Sequence, residues 1–176
     1  MEAKEPALIG VMLSPGSWSF FLLFIFISAV HAAGMAQQDK QTDSLLNVIK
    51  TQKEDTNRVN TLNALSRRYS VTDNYVLSNK YAEQAISLAT KLNFKRGFIL
   101  SYANLGLNNE AEGNYPAAMN NFLTMLKYSE ETGSKKSIAA AYNNIGFVLS
   151  SQGKSIEAIN NYRISAKLNN EIGDKN

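Results

Sequence analysis

The sequence repeats itself with a period of 40 residues, and this repeat constrains the fold more than any other feature. Shifting the chain by that period aligns identical residues in two consecutive units, 97–136 and 137–176. The aligned pairs are Tyr102 with Tyr142, Asn104 with Asn144, Gly106 with Gly146, Gly113 with Gly153, Ala118 with Ala158, and Gly133 with Gly173. A weaker copy occupies residues 57–96. A unit this short cannot bury its apolar face alone, so the repeat predicts a stack of similar units that share one core.

Each unit contains two helical patterns joined by a turn. Apolar residues recur at three- and four-residue spacing on both sides of Gly113, which places them on one face of each helix. In the second unit these residues are Ile99, Tyr102 and Leu105 before the turn, and Ala118, Phe122 and Met125 after it. Pro116 stands where the first turn of a helix tolerates proline, and Gly133 fits a helix C-terminal cap. No stretch alternates with the period of a β-strand, so the mature chain is predicted to be all-α.

The two better-preserved units resemble the tetratricopeptide repeat (TPR) family. The second unit reads Tyr102-Ala103-Asn104-Leu105-Gly106, then Gly113-Asn114-Tyr115-Pro116-Ala117-Ala118, then Phe122. The resemblance implies a right-handed α-α solenoid of three TPR-like helix-turn-helix repeats, preceded by a half-repeat helix at 37–56 that serves as an N-terminal cap. It also implies that small and aromatic residues pack the paired helices together, namely Tyr102, Gly106, Ala118, Phe122, Tyr142, Gly146, Ala158 and Tyr162.

Three features differ from the family pattern. The period is 40 residues, whereas a TPR unit has about 34. The proline expected after the second helix is absent. The first unit is degenerate, because Ser66 occupies the position of Gly106. The longer period resembles the extended repeats of kinesin light chains and of bacterial signalling proteins.

The first 36 residues are typical of a secretory signal peptide. Pro6–Gln38 contains no Asp, Glu, Lys or Arg, and the apolar run at 20–27 is followed by small residues. We expect cleavage after Ala36, with Ala32 as the other site that fits. An uncleaved signal anchor is the alternative, since the segment before the run lacks the usual net positive charge. In either case the remaining chain is expected to be exported, to the periplasm or to the extracytoplasmic side of the inner membrane.

The last residues of the sequence fall at a repeat boundary. In the preceding unit a new first helix follows this boundary. Ile156, Ile159 and Ile164 lie in the second helix of the last unit, whose outer side would need a capping helix. We therefore expect a truncated chain, or self-association through this apolar face. Membrane contact is expected only through the export signal or a missing C-terminal part.

The composition argues against catalysis and metal binding. There is no Cys, and the single histidine, His31, lies within the export signal. Ser-His and Cys-His pairs are therefore impossible in the mature chain. The formal net charge is only +3, and no basic run exceeds two residues, so no nucleic acid is expected as a partner. No catalytic residue, cofactor or metal site is predicted, and the asparagine pairs, such as Asn108-Asn109 and Asn143-Asn144, are interpreted as residues of the repeat surface.

The resemblance to TPR proteins implies one binding site, a concave groove lined by the first helices of successive repeats. By position, the inward residues are Asn60, Asn63, Arg67, Ala103, Leu107, Glu110, Asn143, Phe147 and Ser150. Among them, the predicted groove contacts are Asn63, Arg67, Leu107, Asn143 and Phe147. Asparagine amides can hydrogen-bond a peptide backbone, and Leu107 and Phe147 can anchor an apolar side chain. For these two residues, packing against neighbouring helices is the alternative.

We therefore expect a non-catalytic module that binds a protein or peptide in this groove. By analogy with the family, it would be the extracytoplasmic sensory region of a bacterial signal-transduction protein, with a histidine kinase, cyclase or helix-turn-helix output beyond Asn176. The alternative is a free-standing periplasmic scaffold or assembly adaptor. A clamp for a C-terminal carboxylate is not expected, because Arg67 is the only cation among the inward positions.

Overall fold

A computed structural model describes residues 40–173 of the chain. The predicted export signal, residues 1–36, lies outside the described residues, as do residues 174–176. The helical array belongs to the compact unit that begins at Thr42.

Residues 40–173 form seven helices and contain no strand. The helices are α1 (40–51), α2 (Thr56–Val71), α3 (Tyr75–Lys91), α4 (Lys95–Ala111), α5 (Tyr115–Glu131), α6 (Lys135–Ser151) and α7 (Ser155–Gly173). Helices α3, α5 and α7 begin 40 residues apart, as do α4 and α6. The all-α solenoid predicted from the repeat is therefore confirmed.

Every link between consecutive helices from α2 to α7 has three residues, and the middle residue has a positive φ. These middle residues are Asp73, Asn93, Gly113, Gly133 and Gly153, with φ from 49° to 76°. At Gly113 the N–H donates to the carbonyl of Glu110 over 2.9 Å, and the next N–H, of Asn114, donates to Asn109 over 2.7 Å. The other four links repeat these two bonds. This Schellman geometry satisfies the last carbonyls of each helix and reverses the chain, so that each helix lies against the next.

Arg58 attaches α1 to the array. Its Nη1 donates to the carbonyls of Ile49 over 2.7 Å and of Gln52 over 2.6 Å, at the C-terminal end of α1. A cation at this end also interacts favourably with the helix dipole. The backbone N–H of Arg58 donates to Asp55 Oδ1 over 3.0 Å, so Asp55 caps α2. One residue thus joins the end of α1 to the start of α2.

The array has an inner and an outer layer. Each helix from α2 to α7 contacts the next, and the first helices of the hairpins also contact one another, α2 with α4 and α4 with α6. Within residues 56–173, the second helices α3, α5 and α7 make no such contacts with one another. The first helices therefore lie closer together and form the inner side of a curved stack.

A glycine opposite an aromatic ring closes the two later hairpins. A Cβ added at Gly106 would lie 2.6 Å from Cδ1 of Phe122, and one added at Gly146 would lie 2.8 Å from Cε1 of Tyr162. Phe122 is fully buried, whereas Tyr162 is half-buried. Only a residue without a side chain allows α4 and α6 to approach the rings on α5 and α7 this closely.

The first hairpin replaces this pair with two small residues. Ser66 stands at the glycine position and Ala82 at the position of Phe122, and both are completely buried. The side chain at the glycine position is accompanied by a much smaller residue on the other helix, so Ser66 does not have to fit against an aromatic ring. This exchange explains how the degenerate unit keeps the helical-hairpin fold.

Candidate functional site

An open cavity of about 370 Å³ lies on the inner layer between α2 and α4. Each helix contributes four residues to its lining, which comprises Asn60, Asn63, Ala64, Arg67, Leu100, Ala103, Asn104 and Leu107. Five of the residues predicted to face inward therefore line one cavity. Leu100, which is 49% exposed, is not among the residues predicted to face inward. Its position three residues before Ala103 on the same helix face was the available signal.

Asn63 forms the polar floor of this cavity and ties α2 to α4. Its Nδ2 donates to the carbonyl of Gly97 over 3.1 Å, and its Oδ1 accepts from the Ser101 hydroxyl over 2.8 Å. The Asn104 amide donates to the backbone carbonyl of Asn63 over 3.0 Å. Asn63 is only 3% exposed, and its side chain stabilises the packing of α2 against α4. The sequence had instead predicted a contact between this side chain and a bound peptide. The physical reason is that a buried amide must be satisfied internally.

Leu107 and Phe147 occupy equivalent positions on α4 and α6 but have different surroundings. Leu107 is half-buried and packs against the core cluster that contains Phe122, while also lining the cavity. Phe147 is 46% exposed. The alternative prediction for these two residues was packing against neighbouring helices. It therefore holds in part for Leu107 and much less for Phe147.

The remaining predicted inward residues do not line this cavity. Asn143 and Ser150 are exposed on α6. Glu110 lies one turn beyond Leu107 on α4 and is half-buried. Burial raises the pKa of the Glu110 carboxyl above its ordinary value.

A second open cavity of about 370 Å³ lies between α4 and α6. Its lining residues are Arg96, Ile99, Leu100, Ser134 and Ser137. Leu100 lines this cavity as well as the first one, so the two adjoin on α4. Nothing in the sequence predicted this second cavity. One of its lining residues, Ser134, belongs to a link between hairpins, and no residue of a link was predicted to face inward.

A second buried polar cluster joins α4 to the first hairpin. Asn108 Nδ2 donates to the Ser78 hydroxyl over 2.7 Å and to Asn79 Oδ1 over 2.6 Å, and the Ser78 hydroxyl donates to the carbonyl of Ser66 over 2.8 Å. Asn108 is completely buried. The interpretation of the asparagine pairs as surface residues is therefore wrong for Asn108, because its position on α4 faces the preceding hairpin.

Another exposed apolar surface lies on α7. Ile156, Ile159 and Ile164 are all exposed there, and among α2–α7 the helix packs only against α6. Of these three, only Ile159 has equivalents that are half-buried in both earlier second helices, since Val76 and Pro116, the equivalents of Ile156, are exposed as well. Self-association through this surface stays a prediction.

In the part of the chain that the structure describes, there is no further candidate for a metal site or a membrane-spanning segment. No three His, Asp or Glu side chains in residues 40–173 come close enough together to hold a metal ion. None of the helices in this part is both long enough and apolar enough to span a bilayer. No protein-family model and no curated protein matches the chain.

Proposed function

We propose that this protein is a non-catalytic, TPR-like module that binds a segment of another protein along the inner face of α2, α4 and α6. The observation that supports this most is the pair of adjoining cavities on the inner layer, with the exposed Leu100 between them. Concave sites with apolar linings and a few polar groups at the edge are the usual binding sites of proteins. Phe147 provides another exposed apolar side chain, on α6.

We further propose that the module works outside the cytoplasm, as the sensory region of a bacterial signal-transduction protein. The support is the export-type sequence of residues 1–36, together with the resemblance of the long repeat to exported bacterial signalling arrays. In this role the groove would take up an envelope protein or peptide, and the output would lie beyond Asn176.

The groove can be tested with a library of random peptides displayed on phage and selected on the purified protein. Selected peptides are expected to bind the parent chain and to lose most of their affinity for Leu100→Glu. The matched control is Leu123→Glu on α5, because Leu123 is 48% exposed and Leu100 is 49% exposed. Both substitutions place the same charge on an exposed leucine, so only the location differs.

Phe147→Ala is the second groove variant and is expected to weaken binding without loss of helicity. Circular dichroism and thermal unfolding should show that all three variants keep the helical content of the parent. If Leu100→Glu and Leu123→Glu reduce binding equally, or if selected peptides bind both unchanged, the inner face is not the binding site.

A further inference from the structure

The two helix layers carry very different charges. The first helices α2, α4 and α6 contain seven basic residues and one acidic residue, Glu110. The second helices α3, α5 and α7 contain five basic and five acidic residues. The small net charge of the chain thus conceals a strongly basic inner layer beside a neutral outer layer.

Some of these cations form ion pairs at equivalent positions of the repeat, whereas others form none within the described residues. Lys95 pairs with Glu131 over 2.9 Å, and Lys135 pairs with Glu171, on the second helix of the same hairpin in each case. The hydrogen bond from Lys95 lowers the pKa of the Glu131 carboxyl. The neighbouring Arg96 makes no ion pair or side-chain hydrogen bond within residues 40–173, and the same holds for Arg67.

Arg67 and Arg96 lie on either side of an apolar part of the groove that contains Leu100 and Ala103. Arg67 lines the cavity between α2 and α4, Arg96 lines the one between α4 and α6, and Leu100 lines both. Arg96 and Leu107 are 11 residues apart on α4, a distance of about 16 Å along the helix axis, and Leu107 shares its cavity with Arg67. An extended segment covers that distance with about five residues.

We propose that the bound segment is both acidic and apolar, with carboxylate side chains on either side of one or two leucine-sized side chains. The carboxylates pair with Arg67 and Arg96, and the apolar side chains lie over Leu100 and Ala103. Guanidinium groups are weakly hydrated and match carboxylates in shape, so both arginines suit this role. The inference rests on the proposed function and adds the chemistry of the partner. The apolar side chains of Leu100 and Ala103 between the two cations favour a peptide over a nucleic acid, whose backbone would require cations there.

The test measures binding of fluorescent probe peptides to the purified protein by anisotropy. The first probe is Glu-Ser-Leu-Ser-Leu-Ser-Glu, the second has Gln in place of both Glu, and the third has Ser in place of both Leu. The first probe is expected to bind most tightly. Arg67→Gln and Arg96→Gln should each weaken it by about two- to five-fold, with a smaller effect at high salt. Arg163→Gln on α7 removes the same charge from an exposed position of the outer layer and should leave binding unchanged.

Each contrary result has a distinct meaning. If the Gln probe binds as tightly as the Glu probe, or if Arg67→Gln acts like Arg163→Gln, the acidic chemistry is refuted while groove binding stands. If the probes fail but library peptides still bind in a manner that depends on Leu100, the partner chemistry is wrong and the proposed function survives. If a single-stranded oligonucleotide binds more tightly than the acidic probe through the same arginines, the partner is not a peptide. If library peptides fail as well, both proposals fall.

Discussion

Replacing Gly106 by alanine should destabilise the array although alanine is the better helix former. The new Cβ would lie 2.6 Å from Cδ1 and 2.9 Å from Cζ of Phe122. Ordinary contacts of a Cβ are 3.4–4 Å long, so the ring or the helix must shift by about 1 Å. Phe122 is fully buried, so its ring has no exposed side towards which it can move.

The magnitude follows from two opposing effects. Overpacking a well-filled core costs about 1–3 kcal/mol. Removing glycine from a helix interior gains up to about 1 kcal/mol. Because Phe122 is confined on all sides, we expect the free energy of unfolding to fall by about 1–2 kcal/mol. Gly146→Ala should cost less, since the opposing Tyr162 is only half-buried and can move.

Urea unfolding followed by circular dichroism measures this difference, and Gly173→Ala serves as the control. Gly173 also lies in a helix, but an added Cβ there meets no atom within 4 Å. The control should be neutral or slightly stabilising. If Gly106→Ala is as stable as Gly173→Ala, α4 does not pack closely on the Phe122 ring, and the glycine-aromatic pair does not close the hairpin.

Four further substitutions test the turns, the polar floor and the buried carboxyl. Gly133→Ala should cost about 1 kcal/mol because φ is 66° at this position, whereas Asn93→Gly should be neutral or slightly stabilising; equal urea midpoints would contradict this. Asn63→Ala should cost about 1–3 kcal/mol by removing two buried hydrogen bonds, and a loss below 0.5 kcal/mol would contradict that role. Since burial raises the pKa of Glu110, its charged form is disfavoured in the folded state, so Glu110→Gln should be stabilising at neutral pH. This advantage should vanish as the pH falls below the carboxyl pKa of the unfolded chain, and a pH-independent difference in unfolding would contradict it.

The helix ends show what the sequence could reveal about the fold. Gly113 and Gly133 were recognised as helix breakers because glycine adopts positive φ at no steric cost. Asp73 and Asn93 adopt the same conformation. They were not recognised, since these two residue types are also common on exposed surfaces. Only their spacing from Gly113, 40 residues for Asp73 and 20 for Asn93, identifies them, and that spacing becomes visible once every link is known to have three residues.

The buried asparagines show which structural information helical periodicity cannot predict. Periodicity assigns Asn63 and Asn108 to a helix face, but it does not say whether that face meets solvent or another hairpin. Their partners Gly97 and Ser78 are 34 and 30 residues away in the sequence. Hydrogen bonds across hairpins depend on how the units stack, which helical periodicity does not show. A neutral amide at an inward position is also as suitable for a contact with a ligand as for a hydrogen bond to another hairpin.

The inner face was predicted from the family resemblance rather than from any motif. The repeat fixes the residues that pack one helix against another, whereas Arg67, Leu107 and Phe147 stand at one equivalent position in the three units. Three such different residues at the same place show that the fold does not dictate the inward side chains. The charge difference between the layers was likewise hidden, because it appears only when each residue is assigned to an inner or an outer helix.

The central claim is that partners bind the inner face, and methyl NMR of the leucines tests it most directly. Titration with a library-selected peptide should shift the methyl signals of Leu100 and Leu107, which line the inner cavity. The signals of Leu123, an equally exposed leucine on α5, should stay unchanged. Shifts at Leu123 with none at Leu100 would place the peptide on the outer layer and contradict the account.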